Sequence, residues 1–353
     1  MIADGWIAGA IAFIIALVAI PLLIIISRRW GLLDPTGPLK IHRQPIPRVG
    51  GLALMLALVI GTIVFRVGHP APVTFYLALA WVGITGFIDD IRGLRPATRL
   101  LMQAGAALLL CSAGWQAPLF HVPALNVVTA CLFLVASMNA FNFLDGSDGV
   151  AAGVTALIAL GYLLVPNGTA NGNFGSLIAW ALLGSCLSFL LFNFPPARIF
   201  MGDCGSTTLG LVTAFLGLNF YRAANSSGPQ VLLPVMFSGL PFLDLGLAVL
   251  RRLRKRVSPF SADRQHFYDL LLTRGMPPRQ VVLSCFGVSA AFEAAALLCA
   301  RSAWPVALLI LSLTVGAFLT TAISLGSLRT SELTAIKEPR ESSTPGTLLS
   351  GGG

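Results

Sequence analysis

The sequence predicts an all-α polytopic membrane protein of about eleven transmembrane helices, with its N-terminus in the periplasm and its C-terminus in the cytoplasm. Hydrophobic residues make up 56% of the chain and charged residues only 10%. Charged residues reach about 25% in a typical soluble domain. Apolar runs recur along the whole chain, and the mean hydropathy is +0.83. A single membrane domain is therefore favoured over soluble domains joined by linkers.

Eleven apolar runs carry this prediction. They cover residues 5–27, 50–66, 72–88, 99–114, 123–138, 150–165, 177–193, 206–220, 229–250, 280–300 and 303–326. The first run lacks a basic n-region and a small-residue cleavage site, so it is expected to remain as a membrane anchor. Residues 1–328 are assigned to the membrane domain. The tail 329–353 is rich in Ser, Thr, Glu and Gly and is expected to be a disordered cytoplasmic end.

Lys and Arg are distributed unevenly between the two sets of connections that alternate along the chain. Twenty of the 23 fall in one set, and the other three are Arg66, Arg222 and Arg301. Basic connections stay in the cytoplasm under the positive-inside rule, which gives the predicted orientation in a bacterial inner membrane. The net charge of +9 is then a topology signal, so nucleic acid is not an expected partner.

The segment MNAFNFLDGSDGVAAG places Asn139, Asn142, Asp145 and Asp148 three residues apart at a predicted cytoplasmic helix end. Side chains at this spacing lie on nearby parts of a helical surface, so amides and carboxylates face one small volume. Glycine-containing irregular backbone at membrane depth is tolerated where it lines protein or water, which indicates a ligand site. The alternative is a polar network that only satisfies the helix end.

The segment FNFPPARIFMGDCGS joins Asn193 to two prolines that end a helix, and then brings in Phe200 and Asp203. Asp203 and Ser206 are predicted at the start of the next helix. Free backbone N–H groups at that position suit a phosphate, while the carboxylate is able to hold a hard cation. An N-cap role for Asp203 is the alternative, and it is compatible with metal binding.

Asp89 and Asp90 are adjacent at another predicted cytoplasmic helix end, with Arg99 close behind. Neighbouring side chains on a helix point about 100° apart. The two carboxylates are therefore expected to serve different partners, one of them a metal and the other a reacting group. A solvated turn is the alternative interpretation.

Two basic segments supply further candidate anion ligands. KIHRQPIPRVGG contains His42 and Arg48, and SPFSADRQHFYDLLLTRG contains Arg264 and His266. Their prolines and terminal glycines are typical of ordered loops, which favours contacts with phosphate or sugar. The alternative is that basic residues beside a membrane determine topology or contact lipid headgroups.

Together these segments, from Asp34 to Gly275, resemble the polyprenyl-phosphate N-acetylhexosamine-1-phosphate transferase superfamily. Four of its patterns are matched, namely HxxPIPRxGG by 42–51, DD by 89–90, NxxNxxDGxDG by 139–149 and NxPPAxxFMGDxGS by 193–206. The resemblance implies an enzyme on the cytoplasmic face that transfers N-acetylhexosamine 1-phosphate from a UDP-N-acetylhexosamine to undecaprenyl phosphate and releases UMP. The bilayer and a second copy in a homodimer complete the expected partners.

The resemblance also implies roles for individual residues. Mg²⁺, for which Mn²⁺ is an expected substitute, would be held by Asp203 with Asn142. Phe200 would stack on uracil, and the implied nucleotide contacts are Asn139, Asp145, Asp148, Asn193 and Phe200. The implied sugar and phosphate contacts are His42, Arg48, Arg99, Arg264 and His266. Asp89 or Asp90 would deprotonate or orient the lipid phosphate, and a two-step path with Asp89 as nucleophile is the alternative to direct transfer.

The last basic segment departs from the family pattern, which usually has a cluster of histidines there. This chain keeps His266 but places Phe267 and Tyr268 beside it. It therefore resembles the branch that initiates O-antigen and other cell-surface glycans, with N-acetylglucosamine or a 6-deoxy sugar such as N-acetylfucosamine as the expected sugar. The phospho-N-acetylmuramoyl-pentapeptide transferase branch, with its run of histidines, is the alternative.

A lipid or solute transporter is the rival from another class of protein. Such proteins place polar residues near the membrane midplane and use paired broken helices. In the predicted spans the acidic residues are Asp244, close to a cytoplasmic end, and the isolated Glu293. The sequence therefore favours an enzyme over a transporter.

Overall fold

Most of the described chain, 78%, is helical. The computed structural model describes residues 2–34, 44–65, 72–165, 174–223, 228–261 and 264–328, so His42 and the predicted tail lie outside it. Its helices are α1 Ile2–Trp30, α2 Gly50–Ile63, α3 Val73–Arg92, α4 Pro96–Ser112, α5 Pro123–Leu144, α6 Val150–Leu164, α7 Phe174–Asn193, α8 Gly202–Ala223, α9 Leu233–Phe237, α10 Gly239–Arg254, α11 Phe267–Thr273, α12 Pro278–Cys299 and α13 Trp304–Ser324. A short 3-10 turn, Pro229–Leu232, precedes α9. Strands β1 (Leu33–Asp34) and β2 (Ile46–Pro47) form a small antiparallel pair.

The all-α prediction is confirmed, and within the described residues every predicted apolar run overlaps a helix. Six helices of the described chain are long and apolar enough to cross a bilayer: α1, α3, α5, α7, α12 and α13. A bent pair formed by the 3-10 turn, α9 and α10 would make a seventh. Helices α2 and α6 are apolar but shorter. The count of eleven spans therefore stays a prediction.

Large apolar side chains cover much of the outer surface. Leu101, Leu132 and Leu313 are 64–69% exposed, which suits contact with lipid tails and would be unfavourable in water. Only 17% of the apolar stretch of α13 is buried inside the structure, whereas 72% of that of α7 is buried. Helix α7 therefore lies inside the bundle and α13 at its periphery.

Small residues allow α1 and α7 to approach each other closely. A Cβ atom on Gly9 would lie 2.9 Å from the carbonyl oxygen of Trp180, and one on Gly184 would collide with the backbone of Gly9. Close backbone approach at small residues is a general means of joining helices in membranes, where lipid offers no hydrophobic drive between them. The site described below depends on α7, because the loop after α7 leads directly into α8.

The predicted run 229–250 is not one straight helix, which corrects the sequence prediction. The chain bends by 69° between the segment ending at Phe237 and α10. Pro241 has no N–H group to donate to the carbonyl of Phe237, and Gly239 lies so close to the Phe292 ring that no side chain fits there. A new helix therefore starts at Gly239.

Connections predicted to lie on the same side of the membrane meet in the structure. On one side, Arg222 donates to the carbonyl oxygen of Gly114 at 2.9 Å and lies 4.3 Å from the Trp115 ring centroid. At the other ends of the same bundle, Arg48 and Asp203 lie 3.3 Å apart. The alternation of connections used for the orientation is thus compatible with how the helices pack.

Candidate active site

The first turn of α8 is capped by a side chain from α3. Asp203 N and Cys204 N have no helical acceptor at this position, and they donate to Asp90 Oδ1 at 2.8 Å and Asp90 Oδ2 at 3.1 Å. Gly202 precedes them with φ 71°, a conformation that glycine adopts without strain. The same carboxylate receives Arg48 Nε at 3.1 Å. Asp90 therefore fixes where α8 begins.

Two arginines from different elements hold the Asp203 carboxylate. Arg48, just after β2, places a terminal guanidinium nitrogen 3.3 Å from Asp203 Oδ1. Arg99, on α4, places another 3.6 Å from Asp203 Oδ2 and also contacts Asp89 Oδ2 at 2.9 Å. The Arg48 and Arg99 side chains are 39% and 27% exposed, so both guanidinium groups border solvent beside buried carboxylates.

Asn142 lies where the sequence predicted it, next to Asp203. Its Nδ2 donates to Asp203 Oδ1 at 2.8 Å and to Ser206 Oγ at 3.0 Å, while its Oδ1 accepts from Arg99 at 2.8 Å. Asn139, one turn earlier on α5, donates to Gln103 Oε1 at 2.6 Å. The amides of α5 thus connect α4 to the start of α8.

Negative charge exceeds positive charge in this cluster. Within the described ranges, the carboxylates of Asp89, Asp90, Asp145 and Asp203 lie near two guanidinium groups, those of Arg48 and Arg99. Asp145 directly follows α5. Its withdrawal from water raises its pKa well above the ordinary range. The charge of Arg48 opposes this rise, and the carboxylates of Asp203, Asp90 and Asp148 add to it. A divalent cation would balance the excess charge.

The donor set fits Mg²⁺ better than a metal held by protein alone. Within the described ranges, no group of three or more His, Cys, Asp and Glu side chains is arranged to hold a metal. Mg²⁺ usually takes one or two protein carboxylates and completes its shell with phosphate oxygens and water. The Asp203 carboxylate, with Asp89 beside it, offers such a partial set. Asn142 faces Asp203 with its amide nitrogen and Arg99 with its amide oxygen, so it would join the metal as an oxygen ligand only with the amide turned over.

A narrow crevice leads to this cluster between α3, α4 and α8. It is lined by Val82, Thr85, Gly86, Asp89, Arg99, Met102, Gln103, Asp203 and Thr207. Gly86 keeps α3 against the first turn of α8, since a Cβ there would lie 2.7 Å from the Asp203 carbonyl oxygen. The crevice is lined by both apolar and charged side chains. Asp90 is not one of the lining residues.

Asp148 and Asn193 hold the loop between α7 and α8. Asn193 accepts from Gly149 N and donates to the Ile199 carbonyl, both at 2.8 Å, and it is 3% exposed. Asp148 Oδ2 accepts from Ala197 N at 2.9 Å. Both were predicted as nucleotide contacts, and the structure gives them internal partners. Any effect of Asn193 on a nucleotide would therefore act through the loop that it holds.

Two backbone hydrogen bonds from glycines at the start of α2 hold this loop and the start of α8 in place. Gly50 N and Gly51 N donate to the Phe200 and Met201 carbonyl oxygens, each at 2.9 Å. Phe200 N in turn donates to the Pro47 carbonyl at 2.8 Å. The Phe200 backbone is thus fixed between β2 and α2, which positions the half-buried ring predicted to stack on uracil.

Gly51→Ala is expected to displace the first turn of α8 and lower kcat/KM at least about tenfold, because overpacking there costs about 1–3 kcal/mol. The added Cβ would lie 2.5 Å from Gly205 Cα and 2.8 Å from the Cys204 carbonyl carbon. Gly316→Ala is the matched control, since nothing lies within 4 Å of its Cβ position. Thermal unfolding and turnover are measured for both variants. Normal turnover in Gly51→Ala would contradict the close packing of α8 against α2.

The second basic segment has a buried and an exposed part. Arg264 is exposed, whereas His266 is only 4% exposed and bonds through Nδ1 to Asp244 Oδ2 at 2.6 Å. Phe267 and Tyr268 are buried as well, so His266 belongs to the interior part of the segment. Sequence reasoning did not connect Asp244 to this site. An ionisable residue inside an apolar run was the available signal.

Comparisons with known proteins agree with this geometry. Residues 72–221 match the model of glycosyl transferase family 4. The chain is similar to a probable undecaprenyl-phosphate N-acetylglucosaminyl 1-phosphate transferase of Bacillus subtilis (strain 168), with 28% identity over 84% of the chain and 86% of the relative. It is similar to a decaprenyl-phosphate N-acetylglucosaminephosphotransferase of Mycobacterium tuberculosis (strain CDC 1551 / Oshkosh), with 34% identity over 69% of each protein.

A further similarity extends to the other branch of the superfamily. A phospho-N-acetylmuramoyl-pentapeptide-transferase of Moorella thermoacetica (strain ATCC 39073 / JCM 9320) is 32% identical over 67% of the chain and 79% of the relative. The residues matched to the family model include Asp89, Asp90, Arg99, Asn142 and Asp203 of the cluster. From its motifs, its site and these similarities, the chain belongs to glycosyl transferase family 4, in the superfamily of polyprenyl-phosphate N-acetylhexosamine-1-phosphate transferases.

Proposed function

We propose that this protein transfers N-acetylhexosamine 1-phosphate from a UDP-sugar to undecaprenyl phosphate, releases UMP, and thereby initiates O-antigen or another cell-surface glycan. The observation that carries the proposal is the Asp203 carboxylate in the first turn of α8, held by Arg48, Arg99 and Asn142 beside Asp89. The Bacillus and Mycobacterium relatives are named for the same general reaction.

The chemistry requires two negatively charged phosphates to approach each other. A phosphate oxygen of the lipid attacks the β-phosphorus of the donor, the bond between that phosphorus and the bridging oxygen breaks, and UMP leaves with the bridging oxygen. Arg48 and Arg99 supply fixed positive charge beside the reacting groups, which lowers the barrier without covalent chemistry by the protein. Mg²⁺, held by Asp203 with Asn142, would neutralise further phosphate charge.

The geometry favours different roles for the two adjacent aspartates. Asp89 lines the crevice and bonds Arg99 Nε at 2.9 Å, whereas both Asp90 oxygens accept backbone N–H groups of α8. Asp89 is therefore the residue that would orient or deprotonate the lipid phosphate. Asp90 would position α8. Direct transfer is favoured over an Asp89 nucleophile because phosphoryl transfer between the two substrates needs positioning and charge stabilisation and no covalent bond to the protein.

The crevice offers an approach for the lipid acceptor from the membrane. Val82 on α3 and Met102 on α4 form its apolar part, and Asp89 and Arg99 form its charged part. A polyprenyl phosphate has the same division between an apolar chain and an anionic head. In the proposed arrangement, the head reaches Arg99 while the first isoprenoid units stay near the apolar residues.

The proposed sugar is N-acetylglucosamine or a 6-deoxy derivative such as N-acetylfucosamine. The support is the second basic segment, where Phe267 and Tyr268 are buried beside a single histidine instead of presenting a run of histidines. The phospho-N-acetylmuramoyl-pentapeptide transferase reaction is the alternative, since the Moorella relative bears that name. The donor panel below separates the two.

The test is UMP release by purified protein supplied with undecaprenyl phosphate, Mg²⁺ and one UDP-sugar at a time. The panel contains UDP-N-acetylglucosamine, UDP-N-acetylfucosamine and UDP-N-acetylmuramoyl-pentapeptide. We expect acceptor-dependent UMP release with one of the first two and loss of release on chelation of the metal. Release with the pentapeptide donor alone would change the assignment of branch. No release with any donor would contradict the proposed reaction.

Reporters fused after Arg256 and at the C-terminus are expected to read cytoplasmic. The physical reason is the excess of Lys and Arg in the connections on that side, which resist translocation. A reporter fused after Gly114 is the control and is expected to read periplasmic. The inner-membrane orientation and the cytoplasmic active site both depend on this result. A periplasmic reading after Arg256 would invert the proposed topology.

A further inference from the structure

Gln103 is a polar side chain of α4 to which the proposed reaction assigns no role. It lines the crevice together with Arg99, one turn earlier on the same helix. Side chains four residues apart lie on one face of a helix, about 6 Å apart along its axis. Gln103 is only 5% exposed, and an amide in the apolar part of a membrane protein is unfavourable unless it is hydrogen-bonded. Its hydrogen bonds therefore indicate its role.

Asn139 fixes the orientation of the Gln103 amide. Asn139 Nδ2 donates to the Val135 carbonyl oxygen at 2.8 Å and to Gln103 Oε1 at 2.6 Å. Because a backbone carbonyl only accepts hydrogen bonds, the nitrogen end of the Asn139 amide has to face Val135. The second N–H of that nitrogen then requires an acceptor from Gln103, which is its amide oxygen. The Val135 carbonyl thus determines, through Asn139, which end of the Gln103 amide is still available.

The available end is the Nε2 amino group, which carries two N–H donors. In the part of the chain that the structure describes, no acceptor is bonded to Nε2. Thr85 and Thr207 also line the crevice, but their hydroxyls donate to carbonyl oxygens of their own helices. Among the neutral side chains described along the crevice, Gln103 is therefore the one with an unused donor.

We propose that Gln103 Nε2 binds the phosphate of the polyprenyl phosphate acceptor, beside the guanidinium of Arg99. The inference rests on the proposed function, because it assigns a contact to the acceptor of that reaction. A neutral donor one turn beyond Arg99 adds a hydrogen bond to the anionic head without placing a second charge deeper in the apolar bundle. The UDP-sugar fits this position less well, because it has no apolar chain to contact Val82 and Met102.

The experiment measures equilibrium binding of undecaprenyl phosphate, and separately of UMP, to unmodified protein and to Gln103→Met in the same detergent. Methionine keeps an unbranched side chain of similar length, and Asn139 Nδ2 retains its bond to the Val135 carbonyl, so the variant is expected to fold. The Kd for undecaprenyl phosphate is expected to rise about ten- to a hundredfold, because a hydrogen bond to a charged group is lost. The Kd for UMP is expected to change less than about threefold.

Gln103→Glu separates a phosphate contact from a structural role. A glutamate keeps the oxygen that accepts from Asn139 and replaces the Nε2 donor by a second, negatively charged oxygen. If Gln103 contacts the phosphate, Gln103→Glu is expected to weaken binding of undecaprenyl phosphate more than Gln103→Met does. If Gln103 only holds Asn139, Gln103→Glu would bind like the unmodified protein and Gln103→Met would not, which would overturn the inference.

Ser112→Ala is the matched control on the same helix. Its hydroxyl is exposed and donates to the Leu109 carbonyl oxygen at 2.9 Å, so the Kd for undecaprenyl phosphate is expected to stay within about threefold. An unchanged Kd for undecaprenyl phosphate in Gln103→Met would overturn the inference, and so would a rise confined to UMP. Absence of UMP release by the unmodified protein would instead contradict the proposed function, whereas lipid binding would still report on the Gln103 contact.

Discussion

Asp203→Asn is expected to lower UMP release by at least about a hundredfold while the protein still folds. Asparagine keeps the volume but removes the charge that holds Arg48 and Arg99 and that a hard cation requires. Folding is expected to persist because Asp90 caps α8 through the backbone N–H of residue 203, which the substitution retains. The side chain is also 16% exposed, so water is able to reach the altered group.

Turnover as a function of Mg²⁺ concentration is the measurement for this variant. If Asp203 is a metal ligand, high Mg²⁺ is not expected to restore the turnover of Asp203→Asn fully. Mn²⁺ is expected to support part of the activity of the unmodified protein. Ser206→Ala is the control, since it removes a hydroxyl that bonds Asn142 at 3.0 Å but leaves the carboxylate in place. Near-normal turnover of Asp203→Asn at saturating Mg²⁺ would remove Asp203 from the metal site.

The sequence was sufficient for the positions of most of the helices, whereas α11 lies between two predicted apolar runs. Apolar runs locate helices because burial in lipid requires continuous apolar sequence. The three-residue spacing predicted Asn142 at a cytoplasmic helix end, and the position after two prolines predicted Asp203 at a helix start. Their side chains are 2.8 Å apart. Motif matching placed both on the same site although 61 residues separate them.

The break between α9 and α10 was not predicted, because hydropathy is continuous across residues 229–250. Pro241 was a visible signal, yet proline in a membrane helix often only bends it. The decisive contact is long-range, between Gly239 and the Phe292 ring on α12. Asp244 lies on the helix that begins after this break, so its contact with His266 was not predictable from the sequence.

The division of roles between Asp89 and Asp90 also needed the structure. Adjacent positions on a helix predict different partners, but they do not say which partner each residue has. Asp90 accepts hydrogen bonds from the backbone N–H groups of Asp203 and Cys204, which are separated from it by 113 and 114 positions in the sequence. Which side of α3 faces α8 is determined by packing, including the close approach of Gly86 to Asp203 and Cys204.

Asp89→Asn and Asp90→Asn are therefore expected to fail in different ways. Asp89→Asn should lower kcat by at least about a hundredfold with little change in thermal stability, because the lost charge faces the crevice. Asp90→Asn should lower the melting temperature, because an amide offers one acceptor where two backbone N–H groups and Arg48 Nε are bound. Removing one such acceptor in a buried place costs about 1–3 kcal/mol.

Thermal unfolding and single-turnover UMP release, measured on both variants in the same detergent, separate the two roles. In Asp90→Asn the remaining folded fraction is expected to retain a larger share of turnover than Asp89→Asn does. Excess undecaprenyl phosphate should not restore the turnover of Asp89→Asn, because the missing carboxylate acts on the lipid phosphate after it has bound. The opposite pattern, with Asp89→Asn unstable but active and Asp90→Asn stable but inactive, would exchange the two assignments and place the lipid phosphate beside Arg48 instead of Arg99.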